Sequence, residues 1–314
     1  MKKITAVAAA VILRPDGSFL LGQRAADTFY PGYWEFPGGK VEPGETPRDA
    51  LIRELHEELE IEVLEASPWI VREHVYEHAH VRLHFFRVTA WRGELHDHVH
   101  AALAWQRSDG LTVAPMLPAN APVLAALALP DIYGITHAWE IGTAPQLAAL
   151  AAALERGLRL VQVREHALAP DERERFCRAA VTLGHQHGAR VLVNGAADLA
   201  HRCGADGLHL PSAALMQLQA RPDFPLVIAS CHDAKELAQA AQLGLDGVVL
   251  GPVKPTATHP DQAGMGWESF ARLIDGYPLP VYGLGGLSGA DLAAAQASGA
   301  QGIAAIRAAW AVPD

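Results

Sequence analysis

Polar and apolar residues alternate in short runs before residue 130, which is the pattern of half-buried β-strands. One segment, 47–59, instead repeats its apolar residues with the period of an α-helix. The turn sequence Arg14-Pro15-Asp16-Gly17 between two apolar runs predicts a β-hairpin. The predicted elements are strands at 4–13, 18–24, 61–66, 69–76, 81–91 and 111–114, and helices at 47–59 and 120–128.

The pattern changes after Pro130-Asp131, where β-branched runs begin to alternate with alanine-rich helical stretches. The predicted strands lie at 132–136, 159–164, 190–194, 206–210, 225–230, 246–250, 280–284 and 301–306. Eight strands separated by helical stretches predict a compact parallel (β/α)8 TIM barrel, with a site at the carboxyl ends of the strands. We therefore predict an α/β protein with two domains, at 1–130 and 131–314.

Composition agrees with two domains and limits what they bind. The 25 Lys and Arg side chains face 35 Asp and Glu, and each predicted domain has an excess of five acidic groups, which argues against nucleic-acid binding. Three scattered cysteines favour free thiols in a reducing compartment, and no apolar run approaches the ~20 residues of a membrane span. We expect a cytoplasmic protein with a small-molecule partner and no membrane contact. The sequence does not predict its oligomeric state.

Three glutamates of the first predicted helix, Glu54, Glu57 and Glu58, lie at positions i, i+3 and i+4 and share one face. Like charges so placed destabilise an isolated helix, but they favour a bound Mg²⁺ (or Mn²⁺), which prefers carboxylate and phosphate oxygens. Gly39, in the preceding loop, lets the backbone approach such a ligand closely. The alternative is a solvated acidic helix, stabilised by pairing of Arg53 with Glu57.

The spacing of the whole segment resembles the Nudix box. The matching positions are Gly39, Glu45, Arg53-Glu54-Leu55, Glu57-Glu58 and Ile61. The resemblance implies a Nudix α/β/α sandwich that hydrolyses a phosphoanhydride. The catalytic residues that it implies are Glu45, Arg53, Glu54, Glu57 and Glu58, and the implied metal ligands are Gly39, Glu54, Glu57 and Glu58. Glu60 stands where the family usually has Gly, which bears on how the helix ends and not on metal binding.

Segments outside the box look like the MutT-type sanitising enzymes. They are Gln23-Arg24-Ala25-Ala26-Asp27, Trp34-Glu35-Phe36-Pro37 and Pro118-Ala119-Asn120-Ala121-Pro122-Val123. The resemblance implies substrate binding by Arg24, Glu35, Phe36 and Asn120, with Asn120 contacting the oxidised purine edge. An Asn side chain offers a donor and an acceptor, so it can select a base by its hydrogen-bonding pattern. Because Asn120 also precedes a predicted helix, the alternative is a turn or N-cap residue.

The loop 94–100 contains histidines where the Nudix family often carries a further Glu. His98 or His100 falls near that place, and His98 is the candidate metal ligand or base. We also expect that either His98 or Asp97 assists catalysis. Histidines at 74, 78, 80 and 84 alternate in strand-like sequence, which a solvated strand face explains.

The second domain resembles thiamine-phosphate synthase and TenI-type barrels. The matching segments are Gln162-Val163-Arg164-Glu165, Val193-Asn194, Gly204 to Leu210, Gly251-Pro252-Val253, Thr256-Ala257-Thr258 and Gly283 to Leu287. The candidate site residues are Arg164, His232, Gly285 and Gly286. Gly285-Gly286, after the seventh strand, fits a phosphate site made of backbone N–H groups.

The same domain departs from the synthase at the positions that carry its chemistry. Gly195 and the segment 211–214 stand where acidic magnesium ligands are expected. His166 and His259 replace lysines, and Arg307 replaces a Ser. Three alternatives therefore remain: a barrel that has lost its chemistry, a thiazole tautomerase that uses His232, or a sensor of a phosphorylated ligand.

Together these features predict a Mg²⁺-dependent nucleoside triphosphate pyrophosphohydrolase that converts 8-oxo-dGTP to 8-oxo-dGMP and pyrophosphate. The barrel would then be a degenerate thiamine-synthase-like domain. The alternative is a thiamine-pathway enzyme, in which the first domain hydrolyses a thiamine-related diphosphate and the barrel acts on a related ligand.

Overall fold

The computed structural model describes residues 3–255 and 263–311. The chain forms two compact units, Met1–Ala128 with Gly276–Pro278 and Leu129–Asp275 with Leu279–Asp314. Two features of the barrel resemblance, Thr256-Ala257-Thr258 and His259, lie outside the described residues. Within the two described ranges, no helix is both long and apolar enough to cross a membrane.

The first unit contains two β-sheets and two α-helices. Its elements are β1 (Ile4–Ile12), β2 (Phe19–Gln23), β3 (Trp34–Glu35), β4 (Gly38–Lys40), α1 (Pro47–Leu59), β5 (Glu62–Val75), β6 (His80–Arg92), β7 (Ala102–Gln106) and α2 (Ala121–Leu127). The larger sheet has the order β4-β1-β6-β5, in which β1 and β6 are parallel and the other pairs are antiparallel. The smaller sheet, β3-β2-β7, is antiparallel.

Helices cover both faces of the larger sheet, because successive side chains of a strand point to opposite sides. On one face of β1, Ala8 packs in a core with Leu55 and Leu59 of α1. On the other face, Val11 packs in a second core with Val123 of α2. The predicted Nudix-type α/β/α sandwich is confirmed.

Local sequence determines where α1 begins and ends. The side chain of Thr46 accepts a hydrogen bond from the N–H of Asp49, and Pro47 occupies the first turn, where its missing N–H costs nothing. At the other end Glu60 adopts a left-handed conformation with φ of 55°, and its N–H donates to the carbonyl of His56. Glu60 thus accepts the backbone conformation that Gly adopts freely.

The predicted hairpin around residues 14–17 is only partly correct. The turn forms, with the N–H of Arg14 donating to the Ser18 carbonyl and that of Gly17 donating to the Arg14 carbonyl. A bridge joins Leu13 to Phe19, but β1 then enters the larger sheet and β2 the smaller one. Both strands have apolar side chains on two faces and contribute to the same two cores, so they pack together although they pair in different sheets.

Other strand predictions of the first unit also change. The strands predicted at 61–66 and 69–76 are one strand, β5, whose pairing with β6 shifts in register along its length. The predicted strand at 111–114 is wrong, since this segment is a loop. The sequence pattern does not predict β3 and β4, which are too short to show alternation, or β7, which contains two alanines.

The second unit is a closed barrel of eight parallel strands. Its strands are β8 (Ile132–Ile135), β9 (Leu160–Val163), β10 (Arg190–Asn194), β11 (Gly207–Leu210), β12 (Leu226–Cys231), β13 (Gly247–Leu250), β14 (Val281–Leu284) and β15 (Gly302–Ala305). Its helices are α3 (Ala138–Ile141), α4 (Thr143–Glu155), α5 (Pro170–Gln186), α6 (Ala197–Cys203), α7 (Ser212–Leu215), α8 (Ala234–Gln242), α9 (Gly266–Ile274) and α10 (Leu292–Ala297). The predicted TIM-type barrel is confirmed.

Polar side chains cross the barrel interior among the apolar residues. The hydroxyl of Tyr133 lies 3.2 Å from Nδ1 of His209, and Nε2 of His209 lies 2.9 Å from Oγ of Ser230. Burial, together with the positive charge of Arg164, lowers the pKa of His209 to about 3. His209 is therefore neutral near pH 7, and its ring takes part in a chain of uncharged hydrogen bonds.

Replacing Glu60 with Gly should stabilise the last turn of α1, because Gly has no Cβ to clash in the left-handed conformation. The expected gain is about 1 kcal/mol, since the exposed contact of Glu60 with His98 contributes little. Amide hydrogen exchange of residues 56–60 in the full chain measures this gain. The matched control, Glu60→Gln, keeps the Cβ and should leave the exchange rates of these amides unchanged. Faster exchange in Glu60→Gly would contradict the strain assigned to Glu60.

Acid should destabilise the barrel through His209, because this ring takes up a proton in the unfolded chain but not in the folded one. Its stabilising contribution is present above about pH 6.5 and is lost as the pH falls below that value, by up to about 1.4 kcal/mol per pH unit. His209→Gln cannot titrate and should lose less stability between about pH 7.5 and about pH 5. Urea unfolding of both full-length proteins measures the two losses, and equal losses would exclude His209 as an acid-sensitive group.

Candidate functional site

Arg53 connects the acidic residues around α1. Its Nη1 lies 3.0 Å from Oε1 of Glu54 and 3.3 Å from Oε2 of Glu57. Its Nε and Nη2 donate to the two carboxylate oxygens of Glu45, at 2.9 and 3.0 Å, and Nη2 also donates to the Lys40 carbonyl at 3.1 Å. One guanidinium therefore links α1 to β4 and to the loop between them.

The same contacts keep the members of this network charged. Hydrogen bonds from Arg53 and from the backbone N–H of Glu42 lower the pKa of Glu45. Hydrogen bonds to Glu45 and Glu54 in turn raise the pKa of Arg53. The positive charge of Arg53 offsets part of the repulsion between the glutamates of α1.

Two glycines bring β4 close to the acidic face of α1. A Cβ on Gly39 would overlap the carboxylate of Glu54, and a Cβ on Gly38 would overlap the carbonyl oxygen of Ala8. Gly38 has a φ of 139°, and its N–H donates to Oε2 of Glu58 at 3.2 Å. The backbone thus makes the close approach that the glycine pair predicts.

Glu58 lies among other carboxylates. Burial raises its pKa to about 8, and the charges of Glu54, Glu35 and Asp97 act in the same direction against the hydrogen bond from Gly38. Carboxylates gathered in this way favour a compensating cation. Their oxygens are the ligands that Mg²⁺ prefers, so these residues fit a divalent metal ion.

The carboxylates are not yet arranged around a common point. Among residues 3–255 and 263–311, no three acidic, His or Cys side chains are gathered as a ready metal site. Glu54 and Glu57 contact Arg53, while Glu58 accepts a hydrogen bond from Gly38. Each of these contacts uses one carboxylate oxygen, and the ligand set of Gly39, Glu54, Glu57 and Glu58 stays a prediction.

The loop between β6 and β7 holds His98 against the end of α1, where the N–H of His98 donates to the Glu58 carbonyl at 3.1 Å. Nε2 of His98 lies 2.7 Å from Oε1 of Glu60, at the end of the helix. Oδ1 of Asp97 lies 3.3 Å from Nδ1 of His100. The His100 ring is buried against Gly22, and a Cβ at that position would overlap it. The charges of Asp97 and His100 act on carboxylates of the site. The geometry therefore favours Asp97 and His100 over His98 as the residues of this loop that assist the site.

Arg24 and Glu35, two predicted substrate-binding residues, form an ion pair. Nη1 of Arg24 lies 2.6 Å from both carboxylate oxygens of Glu35, and its Nε donates to the Phe29 carbonyl at 2.6 Å. Burial raises the pKa of Glu35 despite the opposing charge of Arg24. The pair is therefore partly desolvated and occupies a fixed position next to Glu58.

The other two predicted substrate-binding residues are buried. Phe36 is 5% exposed, and its ring packs 5.9 Å from Phe19 and 5.7 Å from Phe85 between centroids, so it belongs to the core. Asn120 is also buried, and its Nδ2 donates to the Trp34 carbonyl at 3.2 Å. Asn120 ends the 3-10 turn Pro118–Asn120 and occupies the N-cap position of α2, as the alternative has it, but its side chain makes no capping hydrogen bond.

A cavity of about 730 Å³ lies at the carboxyl ends of the barrel strands. The four candidate residues of the second domain all line it: Arg164, His232, Gly285 and Gly286. Nδ1 of His232 lies 2.9 Å from a carboxylate oxygen of Glu236. The fold thus brings together residues that are separated by more than a hundred positions in the sequence.

The cavity wall carries positive charge. The guanidinium of Arg164 has no hydrogen bond or ion pair with another side chain in the described part of the chain, while Arg307 is held by Glu140 at 2.9 Å. Burial, and then the charge of Arg164, lower the pKa of His166. The unpaired charge of Arg164 therefore favours an anionic ligand in this cavity.

The magnesium positions of the synthase do not fit a metal ion in this chain. Gly195 and Pro211 stand there, and a Cβ on Gly195 would lie 3.4 Å from the Pro211 ring. Close by, Nδ2 of Asn194 donates to Gln162, and its Oδ1 is buried without a hydrogen-bond partner of normal geometry beside His166. These groups suit a polar organic ligand better than a magnesium ion.

Two residues that shape the first site, Lys40 and Gly22, are not predicted from the sequence. Lys40 acts through its backbone carbonyl, which leaves no signal in the identity of the residue. Gly22 makes room for His100, and a Gly inside a strand is a signal of such close approach.

Comparison with known families divides the chain as the fold does. A model described as a NUDIX domain matches residues 3–127. A model described as thiamine monophosphate synthase matches residues 132–309, which is more than half of the chain.

Individual relatives match one half each. A CTP pyrophosphohydrolase of Escherichia coli strain K12 is 42% identical over 132 residues, covering 40% of this chain and 92% of that protein. An 8-oxo-dGTP diphosphatase of the same strain is 36% identical over 127 residues, covering 40% of this chain and 98% of that protein. A thiamine-phosphate synthase of Thioalkalivibrio sulfidiphilus is 33% identical over 167 residues, covering 52% of this chain and 79% of that protein.

These matches agree with the sandwich in the first unit and the barrel in the second. The chain therefore belongs to the thiamine monophosphate synthase family and carries a NUDIX domain ahead of its barrel.

Proposed function

We propose that the first domain is a Mg²⁺-dependent pyrophosphohydrolase that converts an oxidised guanine nucleoside triphosphate to its monophosphate and pyrophosphate. The observation that carries this proposal is the arrangement of Glu54, Glu57 and Glu58 around Arg53 and the β4 backbone. The three carboxylates supply negatively charged oxygens for a metal ion, and Arg53 orients two of them. The β4 backbone lies close enough to add a further ligand.

Mg²⁺ would be held by Glu54, Glu57, Glu58 and the backbone of Gly39, where it would neutralise phosphate charge and make a bound water more acidic. Arg53 orients Glu54 and Glu57 before binding, and both are free to leave it because their contacts with it are single hydrogen bonds or ion pairs. The bidentate contact with Glu45 keeps Arg53 in place meanwhile. Asp97 and His100 are placed to accept or position a proton near these carboxylates.

Asn120 supports an oxidised guanine as the base. Its carboxamide is buried and its Nδ2 is held by the Trp34 carbonyl, so its orientation is fixed before the ligand arrives. A fixed donor–acceptor pair discriminates bases by the hydrogen bonds that the wrong base leaves unmade. The relative named CTP pyrophosphohydrolase makes CTP the first competing substrate to test.

A second candidate function concerns the barrel. The cavity with Arg164, Arg307, Gly285 and Gly286 supports binding of a phosphorylated small molecule. If that ligand is a thiamine intermediate, the first domain would act on a thiamine-related diphosphate, with the barrel as tautomerase through His232 or as a ligand sensor. A kinetic panel of 8-oxo-dGTP, dGTP, CTP and thiamine-pathway diphosphates with Mg²⁺ distinguishes the two candidates by the preferred substrate.

Glu57→Gln should lower kcat for the preferred substrate by about 10²–10³-fold, because it removes a metal ligand charge worth several kcal/mol to the transition state. Steady-state release of pyrophosphate measures the effect. The matched control is Glu62→Gln, which changes an exposed glutamate paired with Arg92 and should leave kcat unchanged. Near-normal turnover in both Glu57→Gln and Glu54→Gln would contradict the metal assignment.

Asn120→Ala should reduce the preference for 8-oxo-dGTP over dGTP by about ten- to a hundredfold, since two hydrogen bonds to the base are lost. The measurement is the ratio of kcat/KM for the two substrates, which cancels a general loss of folded protein. Asn120→Asp is the conservative comparison, because it keeps the shape and the acceptor but removes the donor. An unchanged ratio in both variants would exclude Asn120 as the residue that selects the base.

A further inference from the structure

Aromatic rings from two separate segments gather at one edge of the first unit. The aromatic cluster consists of Phe29, Tyr30, Tyr33, Tyr76 and His78. The first three belong to the loop between β2 and β3, and the last two belong to the turn between β5 and β6. Loops carry binding residues more often than core elements do, because a rigid scaffold can position them.

The rings of the cluster contact one another, and Phe29 and His78 are exposed while the three tyrosines are half-buried. Phe29 lies parallel to His78, with 4.2 Å between ring centroids and 8° between planes. His78 also stacks with Tyr76 at 5.5 Å, and Tyr30 lies 5.5 Å from Tyr76. Phe29 is nevertheless 65% exposed, so burial in a core does not explain its position.

The loop that carries Phe29 is held in an unfavourable backbone conformation. Tyr30 has a φ of 57°, which is uncommon for any residue except Gly and rare for one with a bulky side chain. The guanidinium of Arg24 binds the Phe29 carbonyl, and the hydroxyl of Thr28 binds the Ala25 carbonyl at 2.7 Å. Such strain persists where the surroundings impose it, and it concentrates at ligand-binding sites.

The cluster adjoins the residues that are expected to contact the nucleotide. The hydroxyl of Tyr76 lies against the backbone amide of Ala119, which precedes Asn120 in the chain. Glu35 and Arg24 are close enough to Tyr76 for their charges to act on its hydroxyl. The cluster therefore shares a border with both the base-reading residue and the ion pair.

Phe36, the ring that the sequence assigns to the base pocket, is buried between Phe19 and Phe85. Tyr76 of the cluster lies beside Ala119, and Phe29 is 65% exposed, so the cluster offers a base the open ring surface that Phe36 does not.

We propose that Phe29, Tyr30, Tyr76 and His78 form the wall on which the base of the nucleotide substrate stacks. This proposal rests on nucleotide hydrolysis as the function of the first domain and assigns the residues that provide affinity for the base. Aromatic rings stack on every base, so the cluster binds purines and pyrimidines alike, while Asn120 selects among them. The substrate class is accordingly a nucleoside triphosphate and not a base-free polyphosphate.

The test uses Phe29→Ala and His78→Ala in the full chain, because both rings lie at the exposed end of the cluster. Each variant should weaken binding of 8-oxo-dGMP and of CMP by about tenfold, the size expected for loss of one base–aromatic contact. Binding of pyrophosphate, which has no base, should stay unchanged. Calorimetric titration measures all three affinities without any need for hydrolysis. The matched control is Trp139→Ala, which removes a ring that is 47% exposed on the barrel and should change none of them.

Turnover of the preferred nucleotide then distinguishes failure of the stacking wall from failure of nucleotide hydrolysis as the function. With a stacking wall, both cluster variants raise KM by about tenfold and leave kcat within about twofold, since the metal-binding residues are untouched. Unchanged affinity for both monophosphates, or equal weakening of pyrophosphate, overturns the stacking wall even if the wild type hydrolyses nucleotides. A wild type that binds 8-oxo-dGMP through the cluster but hydrolyses no nucleotide overturns the proposed function and leaves the wall standing.

Discussion

The ion-pair network of Arg53 is the interaction on which the first site depends. Glu54 and Glu57 share one face of α1 with Glu58, and their mutual repulsion disfavours the helix. Arg53 opposes that repulsion from the same face, while its bonds to Glu45 and the Lys40 carbonyl hold the loop and the strand against the helix. The network is solvent-accessible, so its value lies in geometry more than in stability. It keeps carboxylates close together that would otherwise separate.

Features that depend on local spacing are predictable from the sequence, and contacts between distant segments are not. The eight barrel strands, helix α1, and the shared face of Glu54, Glu57 and Glu58 follow from periodicity within short windows. The burial of Phe36 does not, because it depends on Phe19 and Phe85 in other strands. The divergence of β1 and β2 into separate sheets likewise depends on distant pairing partners, β4 and β6 for β1 and β3 and β7 for β2.

In the loop 94–100, too, local spacing is predictable from the sequence but contacts with distant residues are not. Its sequence offers several histidines at nearly equivalent positions, and spacing alone does not tell them apart. The left-handed end of α1 brings Glu60 to His98, whereas the missing side chain of Gly22 admits the ring of His100. Which histidine reaches the site is thus decided by two backbone features outside the loop.

The small side chain of Ala8 acts as a spacer between the site and the core. Ala8 packs under α1, and it pairs across the sheet with Gly39 of β4. The single methyl group of Ala8 and the missing side chain of Gly39 together leave room for α1 to lie close to the sheet at this point. A larger residue at this position would have to push α1 and its acidic face away from the sheet, without changing a single acidic residue. The dimensions of the candidate site are, in this sense, a property of the hydrophobic core.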